Sequence, residues 1–396
     1  MKSLVAKVIR DPLYGDIKLN YLEAALVDHV AFQRLRRITQ LAGAPFVYPS
    51  AVHTRFSHSL GTMYVAKRYA EALELNASDA LITSLCALLH DLGHGPFSHC
   101  FEDAVRGKPY CFNHEKMGIR LIRTMERDVL DYCSDKIISG LEEEARQYGF
   151  QNVEAYIHWA LDETANAMVD DDYRNRIVDG PMGADRLDFI ARDAYFTGVS
   201  AFNTVDIFRL TGNAMLIDGK LVFRSKVVDN IYGLSVGRFL MYKNVYYHKT
   251  SRAAELMMQL MMREALKEGL IEDYMDDDNF VFFDEPSLIG LLQSKGKKSK
   301  EMWDKLIRRK LWKVVREMVV KPDDLNNVLG DLKAHFDAQY IDVPEKLNLA
   351  NAGDYDDILV LTDEGIVKTL IDFEKETGYS LLQEESSLFV RVYKEV

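Results

Sequence analysis

Little in this chain points to an oxidising compartment, a membrane or a nucleic-acid partner. Its four cysteines, Cys86, Cys100, Cys111 and Cys133, include no CxxC pair, which argues against a disulfide framework and predicts reduced thiols. No apolar run approaches the roughly 20 residues that a bilayer span requires. The stretch from Met1 to Lys7 lacks the apolar centre of a secretory signal. Without secretion, the Asn76-Ala77-Ser78 match to a glycosylation acceptor has no meaning. Internal repeats and low-complexity tracts are absent. Positive charge is also short: 49 Lys and Arg stand against 61 Asp and Glu, a net charge of −12. Phosphate backbones need a basic face, so general nucleic-acid binding is disfavoured. With 48% hydrophobic residues in 396, the expectation is a cytoplasmic globular protein with a large core.

What is present is concentrated in His90-Asp91-Leu92-Gly93-His94-Gly95-Pro96-Phe97-Ser98-His99. It follows an apolar run, Ala80 to Leu89, long enough for a buried helix with Ser78 or Asp79 as its cap. A buried carboxylate such as Asp91 costs several kcal/mol unless it is paired or coordinated. A cation removes that cost. Adjacent helical side chains diverge by about 100°, so further ligands must come from elsewhere. His58 opens a second helical pattern, with Leu60, Tyr64, Val65, Tyr69 and Leu73 recurring at helical spacing. Downstream, Gly183 to Asp193 carries Asp185, Asp188 and Asp193 in a helix-compatible run. His58, His90, Asp91 and Asp185 together make two imidazoles and two carboxylates. That set suits a divalent Mn, Fe, Co, Ni or Zn ion with positions left open for water and substrate.

The ordered set H…HDLGHGPFSH…DRLDFIARD resembles the HD-domain phosphohydrolases, and more narrowly their dNTP triphosphohydrolase branch, from about Lys7 to beyond Lys313. The resemblance implies a mainly α fold: an HD-domain helical core with short β-hairpins. The reading places the core with flanking helices at residues 1–321 and a small α+β C-terminal appendage at 322–396. Local patterns agree. Lys7 to Leu19 reads as a hairpin framed by Pro12 and Gly15, and Leu216 to Phe223 as another with Asp218-Gly219 as its turn. Tyr21 to about Thr39 reads as one helical stretch, and Asn113 to about Tyr173 as helical and acidic. A long helix runs through Ala265 with Met257, Met258, Met261 and Met262 as core filler. Asp276-Asp277-Asp278 reads as a solvated linker.

Residue by residue, the resemblance implies His94, His114 and Glu102 as the acid-base set, with His99 beside them on the substrate. It implies Arg55, Arg186 and Arg238 on the triphosphate, where a planar guanidinium meets phosphate oxygens in pairs. Gln40 and Asp193 match residues that hold the sugar 3′-hydroxyl, and Leu41 and Tyr246 those that crowd the 2′ position. Arg186 stands where the human member has lysine, and Phe189 where it has tyrosine in the sugar pocket. Lys7, Asp28, Gln33 and Arg36 match a guanine-nucleotide activator site, to which a neighbouring subunit brings Arg309 and Lys313. The implied reaction releases deoxynucleoside and inorganic triphosphate, with Mg accompanying the nucleotide as a further option, in a homo-oligomer, dimer or tetramer.

Two other readings stand beside this one. An HD phosphohydrolase could act on nucleoside monophosphates or another phosphate ester. A non-catalytic nucleotide sensor or RNA-binding scaffold could use the same fold, with the basic stretch 295–316 meeting single strands. Its signature, loss of a metal ligand, is absent. A guanosine-tetraphosphate hydrolase lacks support because no acidic pair follows His90-Asp91, and a cyclic-dinucleotide phosphodiesterase because HHExxDGxxYP is missing.

Overall fold

The N-terminal hairpin forms where proline and glycine frame it. Strands β1 (Lys7–Asp11) and β2 (Gly15–Leu19) pair antiparallel, with Lys7 opposite Leu19. Asp11 Oδ1 accepts from the Leu13 and Tyr14 amides, and Gly15 at φ +74° closes the turn. The computed structural model describes residues 4–107, 110–170, 172–200, 206–343, 357–378 and 388–395.

The expected single helix from Tyr21 is two. α1 (Tyr21–Asp28) stops at His29, whose extended backbone (ψ 143°) and Nδ1, accepting from the Ala31 amide, start α2 (Val30–Gln33) afresh. A 3-10 turn, Arg34–Arg37, follows. A capping histidine breaks the helix without breaking the apolar pattern, so periodicity alone does not reveal it.

Three helices set the frame of the site: α3 (Arg55–Ala72), α4 (Ala77–Leu89) and, after α5 (His99–Val105), α6 (His114–Asp128), α7 (Asp135–Gln147), α8 (Val153–Val169) and α9 (Tyr173–Asp179), α10 (Ala184–Thr197). α4 is buried from Leu81 to Leu89, as a helix without a polar face must be. Its cap is Asn76, whose side chain accepts from the Asp79 amide, rather than Ser78 or Asp79. α3 packs on both α4 and α10.

Next come α11 (Ile207–Thr211), then β3 (Ala214–Ile217) and β4 (Lys220–Arg224). Asp218 and Gly219 turn that hairpin at φ +49° and +72°, as the dipeptide predicts. α12 (Val228–Met241) runs into a π-helical turn, Tyr242–Tyr246. α13 (Lys249–Lys267) buries all four methionines and packs on α5. Asp276-Asp277-Asp278 is not a linker: Asp276 caps α14 (Asp277–Phe280), and Asp277 and Asp278 pair with Arg120 and Arg127. α15 (Glu285–Lys295) and α16 (Lys298–Ile307) follow.

The C-terminal strands are threaded back into what precedes them. β5 (Lys313–Val320), then α17 (Leu325–His335) and β6 (Ile341–Asp342), lead to β7 (Leu359–Leu361), β8 (Val367–Thr369), α18 (Leu370–Thr377) and β9 (Leu388–Lys394). β9 lies between β5 and β6, while β7 joins β4 in parallel and β8 antiparallel. The fold is mainly α with short hairpins and small sheets, as expected. Among the described residues no helix is long and apolar enough to cross a membrane.

Candidate active site

Three helix ends converge because α3 packs between α4 and α10. His58 lies in the first turn of α3, His90 caps the C-terminus of α4, and Asp185 lies in the first turn of α10. His58 Nε2 is 3.2 Å from His90 Nε2 and 2.9 Å from Asp185 Oδ1. One ligand atom from each of the three lies within 4.8 Å of the others. Asp91 stands beside this group, Oδ1 3.5 Å from His90 Nε2 and Oδ2 3.6 Å from His58 Nε2. Its carboxylate also takes a bond from Arg55 Nη1.

The donor chemistry fits a divalent cation. His58 Nδ1 donates to Asp188 Oδ2 at 2.8 Å, and His90 Nδ1 to the Ala87 carbonyl at 2.8 Å. In the neutral rings both Nε2 atoms therefore carry lone pairs, and they face each other and the Asp185 carboxylate. Acceptors without a shared donor repel unless a cation or proton sits among them. Burial opposes protonation of His58, yet the bonds to Asp185 and Asp188 and the charge of Asp91 lift its pKa to about 10. His90 is also raised, against its burial, by Asp91 and Asp185. The same negative field would hold a metal ion.

A second histidine group adjoins the first. His94 is buried and stacks on His114, centroids 4.1 Å apart and planes 17° apart, while His99 meets its edge at 4.9 Å. Burial and the Arg55 charge hold the His94 pKa well below the usual histidine range. Glu102 Oε2 accepts from His114 Nδ1 at 2.8 Å. Burial of Glu102 favours its neutral form, but the bonds from His114 and His99 outweigh it and hold the carboxyl well below its ordinary range. Gly93 makes this stack possible: a Cβ there would lie 2.0 Å from the His114 carbonyl and 2.4 Å from the Gly118 amide. Phe97 and Ser98 both adopt positive φ, +59° and +53°, a conformation that costs non-glycine residues on the order of 1–3 kcal/mol each.

Both groups open into one cavity of about 550 Å³, whose lining includes Gln40, Leu41, Arg55, His99, Phe189, Asp193 and Tyr246. The carboxylate of Asp193 is held at both ends, Oδ1 2.7 Å from His53 Nε2 and Oδ2 accepting from the Tyr246 hydroxyl at 2.6 Å. Two expected phosphate ligands lie outside the lining. Arg186 Nη1 donates to the Pro181 carbonyl at 3.2 Å, and the Arg238 guanidinium lies 5.3 Å from the ring centre of Tyr242, which itself lines the cavity.

An HD domain matches residues 55–163 and an HD-associated region residues 205–352. The chain belongs to the HD-domain phosphohydrolase superfamily. A Methanocaldococcus jannaschii protein of uncharacterised function is 33% identical over 311 residues, 78% of this chain and 59% of that one. The deoxynucleoside triphosphate triphosphohydrolase SAMHD1 homolog of Dictyostelium discoideum is 31% identical over 337 residues, 81% of this chain and 62% of its own. The chain thus spans about three-fifths of these relatives, 59% and 62%. A solved hypothetical protein from Aquifex aeolicus superposes with a TM-score of 0.72 at 27% identity, covering 98% of this chain and 96% of that one.

Four of the residues that the resemblance matched to an activator site are neighbours. Lys7 pairs with Asp28, Arg36 Nε donates to Gln33 Oε1 at 2.9 Å, and the Asp28 charge acts on Arg36. Within the chain, Arg309 instead donates to the Phe46 carbonyl at 2.7 Å, and Lys313 begins β5.

Sequence reasoning gave no role to His53, Asp188 or Arg192. Arg192 holds both Asp188 oxygens at 2.9 and 3.0 Å and reaches Asp11 at 2.8 Å, so the N-terminal hairpin is tied to the partner of His58. The signal for Asp188 was available: it lies one helical turn after Asp185, on the same face.

Proposed function

We propose that the chain is a metal-dependent dNTP triphosphohydrolase that yields deoxynucleoside and inorganic triphosphate. One observation supports this reading above others: a single cavity holds the cation-fitting cluster, the His94–His114 stack and an Asp193 carboxylate clasped by Tyr246 and His53. Phosphate chemistry and sugar recognition then share one space.

His58, His90, Asp91 and Asp185 would hold the ion. When bound, it supplies positive charge against phosphate oxygens and makes water more acidic. Arg55 adds a fixed guanidinium at the phosphate end, oriented by Asp91 and by Ser98 Oγ at 2.7 Å. In the reaction water adds to the α-phosphorus, the bond to the sugar 5′-oxygen breaks, and that oxygen takes a proton. Glu102 fixes the His114 ring through Nδ1, leaving Nε2 as its proton-exchanging atom. His94, a neutral acceptor by its low pKa, completes the set. At the other end Asp193 and Gln40 take the 3′-hydroxyl, while Leu41 and Tyr246 fill the space a 2′-hydroxyl would need. Lys7, Asp28, Gln33 and Arg36 form the chain's own half of a guanine-nucleotide activator site, which Arg309 and Lys313 of a second copy complete in a dimer or tetramer.

One observation favours a second reading. Arg186 and Arg238 lie outside the cavity lining, so a smaller phosphate ester also fits. A panel of dNTPs, NTPs and deoxynucleoside monophosphates with Mn2+, each with and without GTP, separates the two. Turnover of dNTPs raised by GTP supports the proposal; turnover confined to monophosphates replaces it with the second reading.

A further inference from the structure

Three consecutive residues far from the HD motif bind to segments that lead into the site. Phe283 offers its carbonyl to Arg34 Nη1 at 3.0 Å, and the same guanidinium donates to the carbonyls of Leu92 and His94 at 2.5 and 2.7 Å. Asp284 caps α15 and pairs with Arg37. Glu285 reaches furthest: its Oε1 accepts from the Thr39 amide and hydroxyl, both at 2.7 Å, and from the Phe97 amide at 3.3 Å.

Those bonds close a circuit. Thr39 returns its carbonyl to Ser98 Oγ at 3.0 Å, and Ser98 Oγ accepts from Arg55 Nε at 2.7 Å. Glu285 therefore joins the loop that carries Gln40 and Leu41 to the positive-φ Phe97–Ser98 pair that precedes His99. The first loop is otherwise held by one isolated bridge, Thr39 to Thr54, and neither loop has a regular ladder. The Thr39 and Phe97 amides point at the Glu285 oxygen, so loss of that oxygen leaves two amides and a strained turn without their partner.

We propose that Glu285 is a positioning residue, which sets the sugar-side loop and the phosphate-side loop at a fixed separation without touching substrate. The inference rests on the triphosphohydrolase reading for its effect on turnover, and on geometry alone for its effect on the loops. What matters here is reach rather than charge, because all three bonds converge on one oxygen that a glutamine amide also supplies. Aspartate keeps the charge and suits the start of α15, but its side chain is one carbon shorter.

The test compares Glu285→Gln with Glu285→Asp in the full chain. Amide hydrogen exchange is followed at Thr39 and Phe97, with kcat and KM for a dNTP and Mn2+ affinity by calorimetry. The expected result is faster exchange at both amides in Glu285→Asp, with kcat/KM down by about tenfold or more. Glu285→Gln stays near wild type on both counts. Mn2+ affinity stays near that of wild type in both variants, because His58, His90 and Asp185 lie outside the circuit and Asp91 meets it only through Arg55. Wild-type exchange in Glu285→Asp, or damage by Gln that Asp spares, overturns the proposal. Absence of dNTP turnover in the wild-type protein removes the substrate reading alone, and the exchange comparison then decides whether Glu285 holds the loops.

Discussion

His58 Nε2 and His90 Nε2 stand 3.2 Å apart while each ring's Nδ1 is committed to another acceptor, so in the neutral rings two lone pairs face each other across the gap. The arrangement makes sense around a cation, and Asp188 is what enforces it on the His58 side.

Asp188→Asn tests that dependence. An amide nitrogen turned towards His58 Nδ1 would move the ring proton to Nε2, into the position a metal needs. The expected loss in Mn2+ affinity is about 10–100-fold by calorimetry, the scale seen when the partner of a ligating histidine is removed. An unchanged affinity would mean that Asp188 serves only its ion pair with Arg192.

Gly93→Ala addresses the close approach of the HD loop to α6. The added carbon would meet the His114 carbonyl at 2.0 Å. Backbone on both sides leaves little room to yield, so a stability loss of about 1–3 kcal/mol is expected by denaturant unfolding. Activity should fall further than stability predicts, since His114 moves away from His94. Gly118→Ala, whose added carbon has 3.4 Å to the Gly93 amide, is expected to be milder.

His53→Ala would free one oxygen of Asp193 and leave the carboxylate to rotate. KM for dNTPs is expected to rise about tenfold, the scale of one lost hydrogen bond to a charged group, with smaller change in kcat. A fall in kcat at constant KM would place His53 in the chemical step instead.

A pH effect on stability should come from Glu144, away from the site. Burial pushes its carboxyl up from 4.5 to about 7, against the bonds it accepts from Tyr156 and the Tyr21 amide. The folded state then binds more protons than the unfolded one between those values. The contribution of this group is fully present below pH 4.5 and is lost as pH rises through about 7, an effect of roughly 3 kcal/mol. Glu144→Gln should therefore gain Tm relative to wild type between pH 5 and pH 8. A difference in Tm that stays flat across that range contradicts the assignment.

The sequence made the His–Asp cluster legible because its members sit in short runs with unusual side chains for a core: a His-Asp pair closing an apolar helix is hard to read as packing. Hairpins with Pro, Gly or Asp-Gly turns were legible for a similar local reason. The break at His29 was not, since a capping side chain leaves apolar periodicity intact. His53 and Glu285 were hidden for another reason. Their partners lie 140 and 246 positions away, and no spacing rule reaches that far. Arg186 and Arg238 show the converse: a matched position brings the residue type, while the cavity's shape decides what lines it.

The most direct test of the account is the identity of the products formed from a dNTP with Mn2+, resolved by chromatography beside an Asp185→Asn control. The account predicts deoxynucleoside and intact triphosphate in equal amounts, with neither in the control. Orthophosphate or pyrophosphate as the released anion, or turnover that survives Asp185→Asn, would contradict it.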